Sequence, residues 1–328
     1  MRPVTEYPDR DAWLASRKLG ASDVAAVLGV SRFKSPWDVW SSIHGLVPPQ
    51  PDTPDLARGR LFERSLVQLF SDETGMRTAP LRNALVVGPE PFVTASPDMI
   101  VWAGEAYTGE TKTDRRAELY GESQNIDRWD AAAARLVPAD YALQTYTQMW
   151  AAESEYGFLA VLLPFYQFRW FRFRRDPAVE GALVPALRKW WTRHVVEGEP
   201  PAVDSSDTAR RYLGEKFAAP AEPREADPDE AGLALAFARA KVAEKNAKER
   251  AALIQNQLLE RLEGAAQLRV PTVAEKARLT VVRSVSRSTD WHRMARENPA
   301  VEALREQYTT ETAKLPYLKA TAFPDLED

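Results

Sequence analysis

The sequence contains no cysteine and only three histidines, His44, His194 and His292, which stand far apart. The absence of cysteine excludes disulfides, thiolate nucleophiles, iron–sulfur clusters and cysteine-based zinc sites. The scattered histidines form no local metal-binding motif. A bound metal would therefore be held by carboxylate and carbonyl oxygens, the ligands that Mg²⁺ and Mn²⁺ prefer.

Long apolar runs and an excess of positive charge are also missing. No apolar stretch approaches the ~20 residues that cross a bilayer, and the acidic start of the chain is unlike a signal peptide. These features predict a cytoplasmic protein without a membrane partner. The formal net charge is −4. A nucleic acid would therefore be held by a local basic patch, with a metal ion offsetting nearby acids.

Apolar residues make up 45% of the 328-residue chain and charged residues 27%, values typical of a globular protein. Helical and extended patterns alternate before residue 205, which predicts an α/β fold with a mixed central sheet flanked by helices. We place two domains at 1–204 and 205–328, the second of them mostly helical. A change of composition at 218–223 predicts a linker.

Apolar spacing and turn residues predict the individual elements. The predicted helices are 11–29 (one or two short helices, with Ser22-Asp23 as N-cap), 36–46, 56–74 (with the apolar stripe Phe62, Leu66, Leu69 and Phe70), 138–152, 178–196, 229–263 and the tail from 290. The predicted strands are 84–87, 92–95, 99–102, 107–112, 156–163, 168–174 and 278–287, and a loop is predicted at 48–54. Glu244 interrupts the apolar stripe of 229–263, which favours a helical hairpin or a docked arm over a long coiled coil.

The segment with the clearest chemical pattern joins Ser96-Pro97-Asp98 to Glu110-Thr111-Lys112. Two carboxylates and a lysine at the ends of adjacent strands can hold a divalent cation and act on an attacking water. Glu110 and Lys112 are two residues apart on a strand, so they share a face. Asp98 joins them only in one of two registers, because a one-residue slip points it away. The alternative is an ordinary surface ion pair, since Glu-x-Lys often occurs by chance.

Three further polar residues are candidates for the same site. Glu63 borders the apolar stripe of its helix, which fits either a third metal carboxylate or an exposed residue paired with Arg60. Gln144 and Gln148 lie one helical turn apart. Their amides fit contact with a phosphate or a nucleophilic water, or hydrogen bonds to backbone in an ordinary amphipathic helix.

Arg17 and Ser22 form a second candidate group. A guanidinium, a hydroxyl and the backbone donors of a helix start suit a phosphate; the alternative is a surface charge beside a simple N-cap. The segment 168–175 mixes aromatic residues with four arginines. It suits nucleic-acid contact or, more simply, a half-buried strand with an arginine rim.

In chain order these motifs resemble those of the YqaJ-type viral recombinase family, which is close to lambda exonuclease within the PD-(D/E)xK nucleases. The resemblance covers about residues 10–175. It rests on Arg17 with Gly20-Ala21-Ser22-Asp23, Gly59 and Glu63, Ser96-Pro97-Asp98, Gly109-Glu110-Thr111-Lys112, and Gln144 with Gln148-Met149-Trp150. Two positions depart from the family pattern, since Met99 and Ala21 stand where glycine is usual.

The resemblance implies a restriction-endonuclease-like nuclease core with two groups of functional residues. The first group forms the cleavage site, with Mg²⁺ or Mn²⁺ as cofactor. Its metal ligands are Asp98, Glu110 and the carbonyl of Thr111, with Glu63 close by. Its catalytic residues are Lys112 and Gln144. Those that would contact DNA and its terminal 5′-phosphate are Arg17, Ser22, Ser96 and Gln148.

The implied activity is metal-dependent hydrolysis of duplex DNA from a 5′ end, which leaves 3′ single strands for phage-type recombination. A ring-shaped homo-oligomer, expected to be a trimer, and a single-strand annealing protein are implied as partners in the cytosol of a bacterial host. An endonuclease on the same scaffold and a non-catalytic DNA-binding or assembly protein are the alternatives.

Overall fold

The computed structural model describes residues 1–47, 53–121, 131–217, 222–261, 267–269 and 278–280, together with 294 and 297. The chain divides into two compact units, Met1–Leu213 and Gly214–Asp328. The domain boundary predicted from the sequence lies after residue 204. The predicted loop at 48–54, the linker at 218–223, the rest of the strand at 278–287 and the tail from 290 lie largely outside the described residues. Among the residues that the structure describes, no helix has the length and apolarity that a bilayer crossing needs.

The described elements alternate along the first unit as the sequence predicts. The α-helices are α1 (Arg10–Ser16), α2 (Val24–Val27), α3 (Pro36–Ile43), α4 (Pro54–Thr74), α5 (Ala139–Ala152), α6 (Pro177–Trp191), α7 (Asp207–Lys216) and α8 (Pro228–Arg261). The strands are β1 (Thr5–Glu6), β2 (Leu19–Gly20), β3 (Arg77–Pro80), β4 (Ala84–Val87), β5 (Val93–Ala95), β6 (Met99–Ala103), β7 (Glu105–Thr113), β8 (Tyr156–Leu163), β9 (Gln167–Arg174), β10 (Gln267–Arg269) and β11 (Arg278–Thr280).

The central sheet has the strand order β3-β6-β7-β8-β9. Its pairs are antiparallel except for β7 and β8, which run parallel. Parallel neighbours need a crossover connection, and α5 lies in the one between β7 and β8. A smaller sheet has the order β1-β4-β5-β2, and β10 pairs with β11. The predicted α/β fold with a mixed sheet flanked by helices is therefore confirmed.

Successive side chains of β8 point to opposite faces of the central sheet. Phe158 is fully buried in a cluster with Phe70 of α4. Its neighbour Leu159 is equally buried on the other face, in a cluster with Met149 of α5. Each such side chain contributes about 1.5–3 kcal/mol by leaving water. The central sheet thus lies between α4 and α5, and both helices are anchored against the strands that carry the candidate site.

The β6–β7 hairpin has the register that the site requires. It turns at Gly104, with φ +85°, and pairs Met99 with Gly109. One step further along this register, Asp98 lies opposite Glu110. A Cβ added to Gly109 would stand 2.6 Å from Cε of Met99. Met99 stands where the family pattern has glycine, and the absence of a side chain at Gly109 leaves room for the buried Met99 side chain.

Two predicted details of the helices differ from the structure, the first entirely and the second in part. Phe62 was placed in the buried stripe of α4 but is 41% exposed, whereas Val67, on the face that meets the sheet, is 3% exposed. Asp23 occupies the predicted N-cap position of α2, but its side chain makes no capping hydrogen bond. The reason is that a 3₁₀ turn over Ala21–Asp23 leads directly into α2.

Of the two alternatives predicted for residues 229–263, the helical hairpin is wrong, and the docked arm stays a prediction. α8 runs unbroken over Pro228–Arg261. Glu244 does not interrupt it, because its carboxylate accepts hydrogen bonds from Lys241 and Lys248 on the exposed surface of the same helix. Pairs at this spacing stabilise a helix.

The arginine-rich segment forms β9, and the simpler interpretation as a half-buried strand is confirmed. Phe171 and Phe173 are buried in the core. The arginines, however, do not all lie at a rim. Arg172 is 4% exposed and stacks over the Tyr156 ring at 5.8 Å. Arg169 donates to the carbonyl of Tyr120 at 2.7 Å, so both guanidiniums have contacts within the protein.

Candidate active site

Asp98, Glu110 and Lys112 meet where β6 begins and β7 nears its end. Oδ2 of Asp98 accepts hydrogen bonds from the backbone N–H and the hydroxyl of Thr111, both at 2.8 Å. The Lys112 ammonium donates to Oε1 of Glu110. The structure thus brings together the two carboxylates and the lysine that the sequence singled out.

Two glutamines of α5 hold the carboxylate of Glu110. Nε2 of Gln144 donates to Oε1 at 2.6 Å, and Nε2 of Gln148 donates to Oε2 at 2.6 Å. Gln148 is only 1% exposed, and its Oε1 has no hydrogen-bond partner among the described residues. The glutamine side chains therefore bind an acid rather than backbone, and a DNA contact by Gln148 stays a prediction.

The pKa values of the acids reflect burial first and repulsion between neighbouring carboxylates second. Burial raises the pKa of Asp98, and Glu110 and Glu63 raise it further. Burial and Glu110 likewise raise the pKa of Glu63, against the lowering effect of Lys112, Arg60 and Arg10. Burial disfavours the charge on Lys112, but Glu110 and Asp98 together raise its pKa. The site as a whole therefore favours added positive charge.

The chemistry of these residues fits a hard divalent cation. The donors are all oxygen, from the carboxylates of Asp98, Glu110 and Glu63 and the carbonyl of Thr111, which suits Mg²⁺ or Mn²⁺. Within the described ranges, no three Asp, Glu or His side chains stand close enough to hold a metal in the present arrangement. Both Glu110 oxygens are taken by hydrogen bonds, and the Lys112 ammonium supplies the positive charge that a cation would bring.

A charged group beyond Lys112 was missed by the sequence reasoning. Asp114 accepts hydrogen bonds from the Arg116 guanidinium and, at 2.9 Å, from the Tyr120 hydroxyl. Arg32 approaches the same carboxylate at 3.9 Å. The available signal was the two-residue spacing of Glu110, Lys112 and Asp114, because alternate residues of a strand share a face.

Arg17, Ser22 and Ser96 come together around a tryptophan. A terminal nitrogen of Arg17 lies 3.4 Å from Ser22 Oγ, and the indole N–H of Trp13 donates to Ser96 Oγ at 3.1 Å. A Cβ at Gly20 would stand 2.4 Å from the Arg17 guanidinium, so glycine leaves the space that this side chain fills. Trp13 was missed, although its position four residues before Arg17 predicts a shared helical face.

The fold and the site define an α/β protein in which helices enclose a cluster of acids, amides and a lysine. Residues 12–155 match the family model of the YqaJ-like viral recombinase domain. The chain is similar to the protein YqaJ of Bacillus subtilis (strain 168), with 27% identity over 215 residues. The match covers 64% of this chain, and the chain spans 64% of the length of that curated relative.

Solved structures of exonucleases are also similar. An alkaline exonuclease from Laribacter hongkongensis shares 20% identity at a TM-score of 0.44, over 64% of this chain and 98% of that chain. Its complex with dAMP matches with the same identity and coverage at a TM-score of 0.46. A phage related exonuclease from Haemophilus somnus 129PT shares 11% identity at a TM-score of 0.38, over 56% of this chain and 96% of that chain.

Proposed function

We propose that the protein is a Mg²⁺- or Mn²⁺-dependent nuclease that hydrolyses duplex DNA from a 5′ end and leaves 3′ single strands for phage-type recombination. The observation that carries the proposal is the meeting of Asp98, Glu110 and Lys112 at the ends of β6 and β7. The YqaJ-like viral recombinase domain supports the role in recombination.

Asp98, Glu110 and the Thr111 carbonyl are the groups that would hold the cation, with Glu63 beside them. Bound there, a divalent cation would stabilise the charge that develops on the phosphate during hydrolysis. Lys112 remains an ammonium beside Glu110 and orients the attacking water as a hydrogen-bond donor. Gln144 keeps the Glu110 carboxylate in place through its amide.

The direction of digestion is assigned to the group around Arg17. Ser96 precedes Asp98 by two residues, so a phosphate held by Arg17, Ser22 and Ser96 would lie next to the carboxylates. A guanidinium and two hydroxyls supply the donors that a terminal phosphate needs. This arrangement would place the first phosphodiester bond of a 5′ end at the cleavage site.

Digestion of an end-labelled duplex, with and without Mg²⁺, tests the function. We expect release of nucleotides from 5′ ends only with metal, and no cutting of closed circular DNA. Lys112→Met should abolish release yet keep Mn²⁺ binding by calorimetry, because the lysine is not a ligand. The exposed Lys245→Met on α8 is the matched control. Cutting of circles would favour an endonuclease, and binding without cleavage would favour a non-catalytic DNA-binding protein.

We also infer a closed homo-oligomer, a trimer by family resemblance, that works with a single-strand annealing protein in the bacterial cytosol. The supporting observation is the exposure of large apolar side chains along α8: Leu233 at 72%, Leu253 at 58% and Ile254 at 46%. Closed rings bury such surfaces between identical chains. Light scattering should give the mass of three chains, and a strict monomer at micromolar concentration would contradict the ring.

A further inference from the structure

Two arginines, one at the start of α1 and one just after its end, lie against the ring of a tryptophan. Arg10 and Trp13 are three residues apart and share a face of α1, and Arg17 is the C-cap residue that follows the helix with extended backbone. The guanidinium carbon of Arg17 lies 4.8 Å from the centroid of the Trp13 ring, and that of Arg10 lies 5.7 Å from it. Both cations are therefore within the range at which an indole ring attracts them.

The indole N–H at the edge of the same ring forms a hydrogen bond with Ser96. The indole N–H of Trp13 is shared between Ser96 Oγ at 3.1 Å and the carbonyl of Ala84 at 3.2 Å. An indole nitrogen can only donate, so the Ser96 hydroxyl accepts in this contact. Its own hydrogen is then left to be donated to another acceptor, such as an oxygen of an anion.

Arg17 alone is poorly matched to a terminal phosphate. Its guanidinium lies 3.5 Å from Asp23 Oδ2, and the same carboxylate binds Lys34 at 2.7 Å. A terminal phosphate monoester carries about −1.5 to −2 charges at neutral pH, whereas an internal phosphodiester carries one. A second guanidinium would therefore distinguish the end of a strand from its interior.

We propose that Trp13 is the positioning residue of the 5′-phosphate pocket, aligning Arg17 and Ser96, and that Arg10 supplies the pocket's second guanidinium. This inference rests on the proposed function. Arg10 also belongs to the surroundings of Glu63, since its charge is among those that lower the pKa of that acid.

The test is the ratio of digestion rates on 5′-phosphorylated and 5′-hydroxyl duplexes, measured with Mg²⁺. Arg10→Gln and Trp13→Leu should each lower this ratio about 10-fold or more, as expected for loss of a charged hydrogen bond. Trp13→Phe keeps a ring but loses the N–H, and should lower the ratio about 3-fold, as for a neutral hydrogen bond. In a Ser96→Ala background, Trp13→Phe should cause no further fall, because it acts through Ser96.

Two control variants repeat the same chemical changes elsewhere. Arg77 stacks over Trp102 at 4.1 Å, so Arg77→Gln removes an equivalent cation. Trp40 donates its indole N–H to the His194 carbonyl at 2.9 Å, so Trp40→Phe removes an equivalent donor. Both controls should keep the wild-type ratio, and thermal melting shows that each variant is folded. Arg10 is exposed, so its substitution should not disturb folding.

The outcomes separate this inference from the proposed function. A clear wild-type preference for the phosphorylated duplex that Arg10→Gln and Trp13→Leu leave unchanged would overturn the inference, while the nuclease and its pocket would stand. Equal wild-type rates on the two duplexes would remove the 5′-phosphate pocket from the proposed function, and the inference with it.

Discussion

The cluster around Glu110 and the two arginines beside Trp13 differ in how far their polar atoms are bonded inside the protein. Both oxygens of the buried Glu110 carboxylate are bonded inside the protein, to Lys112, Gln144 and Gln148. Arg10 at the start of α1 is exposed, Arg17 just after α1 is half-buried, and both lie over the ring of Trp13. The first region is held in one geometry by its own hydrogen bonds, whereas the second leaves a guanidinium exposed to solvent.

Burial makes the two regions differ in energy as well. Removing one partner of a buried ion pair leaves an uncompensated charge and costs about 3–5 kcal/mol. An exposed pair contributes only about 0–1 kcal/mol. Substitutions around Glu110 should therefore affect both cleavage and stability, and substitutions on α1 should affect the choice of substrate.

The largest expected effect is loss of cleavage in Asp98→Asn and Glu110→Gln. Each removes a carboxylate from the cluster while keeping its size, and the rate should fall by at least about 10³-fold, since metal stabilisation contributes several kcal/mol. Nuclease assays and circular dichroism should show an inactive but folded protein. The exposed Asp72→Asn on α4 is the control. Near-normal activity in either variant would remove that acid from the site.

Arg17→Ala should act on the substrate end instead. We expect the preference for 5′-phosphorylated duplex to fall by about 1.5–3 kcal/mol, roughly 10- to 150-fold, as for a charged hydrogen bond. The measurement is the ratio of rates on the two duplexes. Arg188→Ala, which removes an exposed arginine paired with Glu90, should leave the ratio unchanged. If Arg17→Ala kept the wild-type ratio, the two regions would not divide their roles as proposed.

Glu63→Gln should have a smaller effect that depends on metal concentration. Its carboxylate lies beside the other acids, so its loss should weaken Mg²⁺ binding by about 10-fold, as for groups that support direct ligands. Activity should fall at limiting Mg²⁺ and return with excess Mg²⁺. Glu73→Gln, an exposed acid on the same helix, is the control. An activity loss that excess Mg²⁺ does not restore would assign Glu63 a different role.

The smallest effect concerns stability without metal. The folded pKa of Asp98 is raised above its ordinary 3.8, so folding favours the protonated acid. Stability from this group is present below pH 3.8 and is lost as the pH rises through the raised pKa. At neutral or higher pH, Asp98→Asn should stabilise the metal-free protein by about 1 kcal/mol, or about 2–4 °C in Tm. Thermal melting with a chelator checks this, and a lower Tm would contradict it.

Local patterns predicted much of the fold and part of the site. The helix of Gln144 and Gln148 and the strand of Glu110 and Lys112 follow from periods of 3.6 and 2 residues. The same reasoning was wrong for Phe62 and for the hairpin beyond residue 229. An apolar stripe does not show how far along a helix the sheet extends, and an interrupting acid can be satisfied by neighbouring lysines.

The sequence by itself determined which residues are candidates for the chemistry and which of them share a helix or strand, because backbone geometry repeats over a few residues. Only the tertiary structure decided how these pieces meet. The register of β6 on β7 places Asp98 opposite Glu110. The Gln144–Glu110 bond joins residues 34 positions apart, and the Trp13–Ser96 bond joins residues 83 apart. Such contacts depend on the packing of whole elements, which no local pattern contains.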